Sequence, residues 1–295
     1  MSWSGWWPPA GDRVMDREIV LGILVALLCG SALTVAGWWP MGSPVAPSGR
    51  VFEQRAWRRL WLPFVPAALL LAALCGWALV EPAAAERVPN GLLVGALPFV
   101  AVLLRAAWRA VRSLTTAQAT LTIATVGLFR PRIRLSARIA ATLDEPALTA
   151  AVAHERAHVR HRDPLRIWLA QLGSDLLWPW PMADARFQCW RQALELARDE
   201  EARLLGGIAG PDLAAAILGA LRSSKGTSVT AATLGGDAAF VKERIARLMQ
   251  PLATGAPQTN SRTVWLFTVV LGVLLAALLG TEFGERVVRG FLLVA

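Results

Sequence analysis

The stretch Ala153-His154-Glu155-Arg156-Ala157-His158-Val159-Arg160-His161 decides the fold of the central part of this chain, and it contains all three of its histidines. His154 and His158 stand four positions apart with Glu155 between them. On an α-helix, residues at this spacing lie on one face about 5.4 Å apart, so both imidazoles can reach one metal ion. The stretch therefore predicts a metal-binding helix on which Glu155 acts on water as a general base.

The two histidines need a further protein ligand, because a catalytic zinc site has three and keeps one position open. On a straight helix His161 would lie about 10 Å from His154 along the axis, too far to share the ion. With no other histidine in the chain, a carboxylate is expected to complete the site, and Glu195 is the best donor. Its i+4 neighbour Asp199 can hydrogen-bond a ligand imidazole from behind. An ordinary helical ion pair with a nearby arginine is the alternative interpretation of Glu195.

The composition does not fit a soluble protein, since 55% of the 295 residues are hydrophobic and only 17% are charged. Uncharged runs account for the excess, and each approaches or exceeds the roughly 20 apolar residues that cross a bilayer. They are Ile19 to Trp38, Leu60 to Val80, Val88 to Leu104 and Thr263 to Thr281. The first run exceeds the roughly 7–15 residues of a signal-peptide core and lacks a basic leader. The sequence therefore predicts four retained spans.

The basic residues predict how those spans are oriented. They concentrate between the first and second runs, after the third run and just before the fourth: Arg50, Arg55, Arg58, Arg59, Arg105, Arg109, Arg112 and Arg262. Basic loops stay in the cytoplasm, so both termini are expected outside and the long segment after the third span inside. The net charge of +9 is then explained by topology and anionic lipid. Nucleic-acid binding is disfavoured, because no basic stripe with interleaved aromatics occurs.

The three predicted regions are a leader with three spans (1–112), a cytoplasmic domain (113–258) and the fourth span with a short tail (259–295). In the central region, 119–126 and 128–135 alternate like two strands of a hairpin, with Arg130, Arg132 and Arg134 on one side. Helices are expected from the cap at Asp144 to about His161, and over 164–177, 187–205, 211–221 and 238–249. The three cysteines lack a paired spacing and predict neither a thiolate site nor a disulfide framework.

Several segments together resemble the BlaR/MecR-type membrane metallopeptidases. They are Phe129-Arg130-Pro131-Arg132-Ile133, the H-E-x-x-H at 154–158 with Arg160 and Arg162-Asp163-Pro164, Trp178 to Pro181, the E-x-x-x-D at 195–199, and Ala239 to Ile245. The order of three spans, protease and fourth span is similar too, and the resemblance covers about residues 15–285. It implies an α-helical membrane protein with four transmembrane helices and an inserted α+β, gluzincin-like zinc protease domain.

The resemblance also implies how the site works. Zn²⁺ is expected on His154, His158 and Glu195, with Glu155 as the general base and Asp199 behind a ligand histidine. Such sites usually have a second donor for the oxyanion, from His or Tyr. This chain has no Tyr, so Arg191, Arg198, a backbone N–H or the metal alone is expected instead.

The implied activity is that of a zinc endopeptidase in the bacterial inner membrane, which cleaves a transcriptional repressor, or itself, in the cytoplasm on a signal. Its expected partners are a protein substrate and the lipid bilayer, without direct nucleic-acid contact; the oligomeric state stays open. The family's penicillin-binding sensor is not expected, because few residues follow Thr281 and neither lysine completes an S-x-x-K motif. The alternatives are an HtpX-like quality-control protease and a catalytically inactive membrane scaffold.

Overall fold

The computed structural model describes residues 13–15, 17–38, 48–80, 86–88, 90–116, 124–224 and 234–252. The helices are α1 (Arg17–Trp38), α2 (Gly49–Trp61), α3 (Phe64–Val80), α4 (Asn90–Thr116), α5 (Ala137–Ala140), α6 (Glu145–His161), α7 (Asp163–Leu176), α8 (Pro181–Gly206), α9 (Gly210–Ser224) and α10 (Leu234–Leu248). The strands are β1 (Arg13–Met15), β2 (Glu86–Val88), β3 (Ala124–Val126) and β4 (Arg132–Arg134). The described part of the chain is thus mostly helical.

Two of these helices, α1 and α4, are long and apolar enough to cross a membrane. A third span is possible if α2 and α3, which meet at a bend of 45°, cross together. The bend lies at Leu62 and Pro63, because proline offers no N–H and disfavours helical backbone before it. The predicted run from Leu60 to Val80 is therefore interrupted near its start. The predicted fourth span, Thr263 to Thr281, lies outside the described residues.

Helices α1, α3 and α4 share an apolar core, in which Leu24 of α1, Leu74 and Trp77 of α3 and Ala96 of α4 are buried together. At one end of this group, β1 pairs antiparallel with β2, with Arg13 opposite Val88. At the other end, the chain beyond α4 packs against the helices. Arg105 and Arg109 of α4 form ion pairs with Asp175 of α7.

Helix α2 precedes α4 in the sequence, but it packs along α8. It contributes to the apolar core of the helices that follow α4. This core buries Ala56 and Leu60 of α2 with Trp190 and Leu194 of α8. Gly49 lies so close to α8 that an added Cβ would be 2.6 Å from the backbone of Leu196. The sequence had assigned α2 to the region of membrane spans, and no charge pattern revealed this contact.

The predicted hairpin is present as a two-stranded ladder that pairs Ala124 with Arg134 and Val126 with Arg132. Its turn needs glycine at position 127, because φ is +99° and a Cβ would lie 2.7 Å from the Arg130 carbonyl oxygen. Arg132 and Arg134 are exposed, as the alternation predicts. Part of the predicted first strand (119–123) lies outside the described residues, and the α+β gluzincin assignment stays a prediction.

The predicted helices of this region are all present, with shifted ends. Asp144 caps α6 by accepting a hydrogen bond from the Ala147 N–H, and α6 ends at His161. Helix α8 begins six residues before the predicted Phe187, because Pro181 stands in its first turn, where a missing N–H costs nothing. It ends at Gly206 and is capped by Gly207, whose φ is +63°. A third core joins α6, α8, α9 and α10 through Ala150, Ala202, Leu213 and Leu248.

Candidate metal centre

Helix α6 presents His154 and His158 on its buried face. The small side chains of Ala150 and Ala157 flank them and are also buried. The Nε2 atoms of the two imidazoles are 3.1 Å apart. The predicted pair therefore converges on one point inside the protein.

Helix α8 brings Glu195 to the same point, 41 positions along the chain from His154. Its carboxylate oxygens lie 3.4 Å from His154 Nε2 and 3.8 Å from His158 Nε2. The Glu195 side chain is 30% exposed, so the cluster opens to solvent on this side. His161 is not part of it, since its Nε2 atom lies 2.7 Å from Glu201.

The other ring nitrogen of each histidine faces a buried carboxylate. His154 Nδ1 lies 2.9 Å from Asp199 Oδ1, at hydrogen-bond distance although poorly aligned. His158 Nδ1 lies 2.9 Å from Asp163 Oδ2. These partners favour a proton on each Nδ1, which leaves a lone pair on each Nε2. Two such lone pairs and the Glu195 carboxylate then face one another, an arrangement that favours a cation between them.

The spacing of the three ligand atoms fits zinc. Ligands about 2.0–2.1 Å from a tetrahedral zinc lie about 3.3 Å from one another. The three distances here, 3.1, 3.4 and 3.8 Å, bracket that value. Two imidazoles and one carboxylate also make up the donor set of catalytic sites that keep a fourth position open. His154, His158 and Glu195 would therefore hold the ion.

Electrostatics also favour a positive charge at this point. Burial lowers the pKa of His154, but the Asp199 and Glu195 carboxylates outweigh it and raise the pKa to about 9. The metal-free protein thus binds a proton where a cation is stabilised. Burial raises the pKa of Asp163, yet hydrogen bonds from His158 and Arg198 hold it well below its usual range. Asp163 therefore faces His158 as an anion.

Arg244 of α10 is one of the residues at this site that the sequence did not single out. Its guanidinium forms two hydrogen bonds of 2.8 Å with Asp199 and lies 3.1 Å from Glu195 Oε2. Burial lowers the pKa of Arg244, but Asp199 and Glu195 reverse this effect and raise it. Residues 239–245 had carried part of the family resemblance without any assigned role. This segment supplies the Arg244 guanidinium, which neutralises the charge of the Glu195 and Asp199 carboxylates.

Glu155, the predicted general base, is held by the hairpin. The Thr125 hydroxyl of β3 donates a hydrogen bond of 2.7 Å to Glu155 Oε2. The same hydroxyl lies 3.1 Å from the Glu155 backbone carbonyl oxygen. Thr125 lay within a predicted strand, but strand alternation alone did not distinguish it from its neighbours. The hydrogen bond orients the carboxylate that follows His154 on α6.

The two arginines predicted as oxyanion donors differ in what their guanidinium groups contact. Arg198 is buried and donates two hydrogen bonds to Asp163, behind His158, and it lies 3.5 Å from Glu201. These contacts argue against Arg198 as a donor to substrate. Arg191 lies one turn before Glu195 on α8, and its guanidinium is 6.0 Å from the ring centroid of Phe187. The role of Arg191 stays a prediction.

Comparison with known protein families decides the identity of this part of the chain. The family model described as BlaR1 peptidase M56 matches residues 115–248. This segment belongs to the M56 peptidase family. The M56 match contains the hairpin, helices α5 to α10 and every side chain of the candidate metal centre. No curated protein and no solved structure matches the chain. Together with the candidate membrane-spanning helices, this match supports a membrane-associated metallopeptidase.

Proposed function

We propose that this protein is an integral-membrane zinc endopeptidase that hydrolyses a protein substrate on the cytoplasmic side, as part of a regulatory response. One observation carries the proposal. His154, His158 and Glu195 direct three ligand atoms to one point that opens to solvent, with mutual distances of 3.1–3.8 Å. Glu155, the base expected next to such a centre, directly follows the first ligand.

Zinc, when bound, would supply a Lewis acid that polarises the scissile carbonyl and makes water more acidic. The chain supplies the groups that handle the proton. Glu155 takes a proton from the attacking water and delivers it to the leaving amine, so one carboxylate serves as base and then as acid. Thr125 holds Oε2 of Glu155, which leaves its other oxygen for the water. Asp199 and Asp163 orient the two imidazoles.

Two observations support a cytoplasmic position for the catalytic side chains. Arg105 and Arg109 near the end of α4 form ion pairs with Asp175, so the metal-binding part lies at the basic end of that helix. Arg50, Arg55, Arg58 and Arg59 belong to α2, which packs on α8. Clusters of basic residues beside spans remain in the cytoplasm.

A regulatory role is supported by the family and by the fold. The family model that matches residues 115–248 is described as BlaR1 peptidase M56. In this chain the helix that leads into α3 packs against the helix that carries Glu195. A membrane event that moved α3 would reach the metal centre through this contact. The proposed substrate is therefore a cytoplasmic protein such as a repressor, or the chain itself.

The test uses the full-length protein, loaded with zinc, in inverted and right-side-out membrane vesicles. A mixture of quenched fluorogenic peptides that cannot cross the membrane is the substrate. We expect cleavage only in the inverted vesicles, and Glu155→Gln should reduce it by at least about 100-fold. Its zinc content should stay unchanged, because Glu155 is not a ligand.

Glu145→Gln is the matched control, since Glu145 is exposed in the first turn of the same helix. It should retain full activity. Equal cleavage by the wild type and Glu155→Gln would refute the proposed chemistry. Cleavage only in right-side-out vesicles would refute the proposed side.

A further inference from the structure

A chain of charged side chains, buried at both ends, leads from α2 to the metal-ligand cluster. Glu53 of α2 forms an ion pair with Arg166 of α7, and Arg166 forms a second one of 3.1 Å with Asp163. Asp163 in turn contacts Nδ1 of His158 at 2.9 Å. We name Glu53, Arg166 and Asp163 the α2 relay. Glu53 and Asp163 are 6% and 0% exposed, so water does not screen these contacts strongly.

Arg166 is held in place as well as charged. Its guanidinium lies over the ring of Trp57, 4.7 Å from the centroid, and 5.6 Å from that of Trp190. Trp57 belongs to α2 and Trp190 to α8, so the arginine is clamped between the two helices. Because its rotamers are restricted in this way, Arg166 would shift together with Glu53 and move its other partner, Asp163.

Asp163 is the point where the relay meets the ligand. One oxygen accepts from Arg166 and from Arg198, and the other faces both His158 and Arg198. The orientation of this carboxylate therefore depends on both arginines. Because it sets the ring angle and basicity of His158, a partner of Asp163 acts on the metal through the histidine.

We propose that Glu53 is a positioning residue for the metal centre, which orients His158 through Arg166 and Asp163. This inference rests on the proposed function, since it takes His158 to be a zinc ligand. Glu53 lies outside the segment that matches the M56 family, which begins at residue 115. It also lies on the helix that bends directly into α3. The relay thus makes the geometry of the centre depend on the position of a membrane-associated helix.

The experiment measures zinc affinity of the full-length protein in detergent, by competition with a chromophoric chelator. The visible spectrum of the cobalt-loaded protein reports ligand geometry separately. Asp163→Asn should weaken zinc binding by about 10- to 100-fold, as expected for a direct partner of a ligand histidine. Glu53→Gln keeps the size of the side chain but removes its charge. Because Glu53 lies two contacts further from His158 than Asp163 does, we expect about 3- to 10-fold weaker zinc binding and a shifted cobalt spectrum.

Glu200→Gln is the matched control, because Glu200 of α8 also holds α2, by accepting from the backbone N–H of Arg50. It should leave zinc affinity within about twofold of the wild type while loosening the packing of α2 against α8. If Glu53→Gln does not fold, Arg166→Lys is measured instead. Its single ammonium group keeps the charge but cannot reproduce the guanidinium contacts to Glu53 and Asp163.

Several outcomes would overturn the inference. One is unchanged zinc affinity and an unchanged cobalt spectrum in Glu53→Gln, even if its melting temperature falls. Another is an equal loss of affinity in Glu53→Gln and Glu200→Gln, which would assign the effect to helix packing. A wild-type protein that binds no zinc would refute the proposed function itself, so the two failures are distinguishable.

Discussion

At the scale of single residues, the candidate centre is a balance of buried and partly buried charges. Glu195 and Asp199 place two carboxylates beside His154, and Arg244 contacts both. In the absence of metal, the guanidinium and a proton on His154 offset this negative charge. A bound zinc ion would replace the proton and share Glu195 with Arg244.

Replacing Arg244 by glutamine should therefore destabilise the metal-free protein more than the zinc-loaded protein. Breaking a buried ion pair leaves an uncompensated charge, which costs about 3 kcal/mol. Zinc compensates part of that charge, so the loss in melting temperature should shrink when the metal is added. Thermal unfolding with zinc and with a chelator measures the difference.

Arg247→Gln is the control for this variant, since Arg247 lies on the same helix and pairs only with Glu243 among the ion pairs described for it. That pair is exposed, so its loss should change stability by less than about 0.5 kcal/mol. Equal destabilisation by the two substitutions, or no dependence on zinc, would contradict the role given to Arg244.

The residues of the site were predictable to different degrees for a physical reason. His154, Glu155 and His158 share one helix, where spacing determines which face each occupies. Glu195 was indicated because the chain offers no further histidine and because Asp199 follows it by one turn. Arg244, Asp163 and Thr125 reach the site from other elements, through contacts that no helical period encodes. Arg198 has the right chemistry for an oxyanion donor, but Asp163 engages it.

At the scale of elements, α2 has the greatest consequence for the site. Its sequence is rich in charge and lies just before an apolar run, which predicts a cytoplasmic connection between two spans. The structure adds that this connection is a helix that packs along α8, the helix of Glu195. Pro63 separates it from α3 and lets α2 follow the direction of α8 instead of that of the span.

Gly49→Ala should test this helix contact directly. The added Cβ would lie 2.6 Å from the carbonyl group of Leu196 and 2.8 Å from the Ala197 nitrogen. Backbone atoms cannot move aside as a flexible side chain can, so α2 must shift away from α8. We expect the stability of the full-length protein to fall by about 1–3 kcal/mol, measured by thermal unfolding in detergent.

The control is Gly91→Ala in α4, where a Cβ would meet nothing within 4 Å. Alanine favours helix over glycine, so this variant should be as stable as the wild type or slightly more so. If Gly49→Ala were equally harmless, the close contact between α2 and α8 would be refuted.

At the scale of the whole molecule, the metal-binding part lies at one end of a group of apolar helices. The pairing of β1 with β2 lies at the other end, because β1 precedes α1 and β2 precedes α4. Of the four spans that hydropathy predicts, α1 and α4 are present as apolar helices long enough to cross a membrane, because a long uncharged run is visible in the sequence itself. Hydropathy did not predict the bend at Leu62 and Pro63 or the packing of α2, both of which depend on tertiary contacts.

The central claim is that this molecule holds one metal ion on His154, His158 and Glu195. Measuring the zinc content of the full-length protein purified without chelator, by mass spectrometry, tests it most directly. We expect about one zinc per chain in the wild type and in the control Glu200→Gln, and little in Glu195→Gln, because a neutral amide is a poor zinc ligand. A wild-type protein without zinc, or undiminished zinc in Glu195→Gln, would contradict the account.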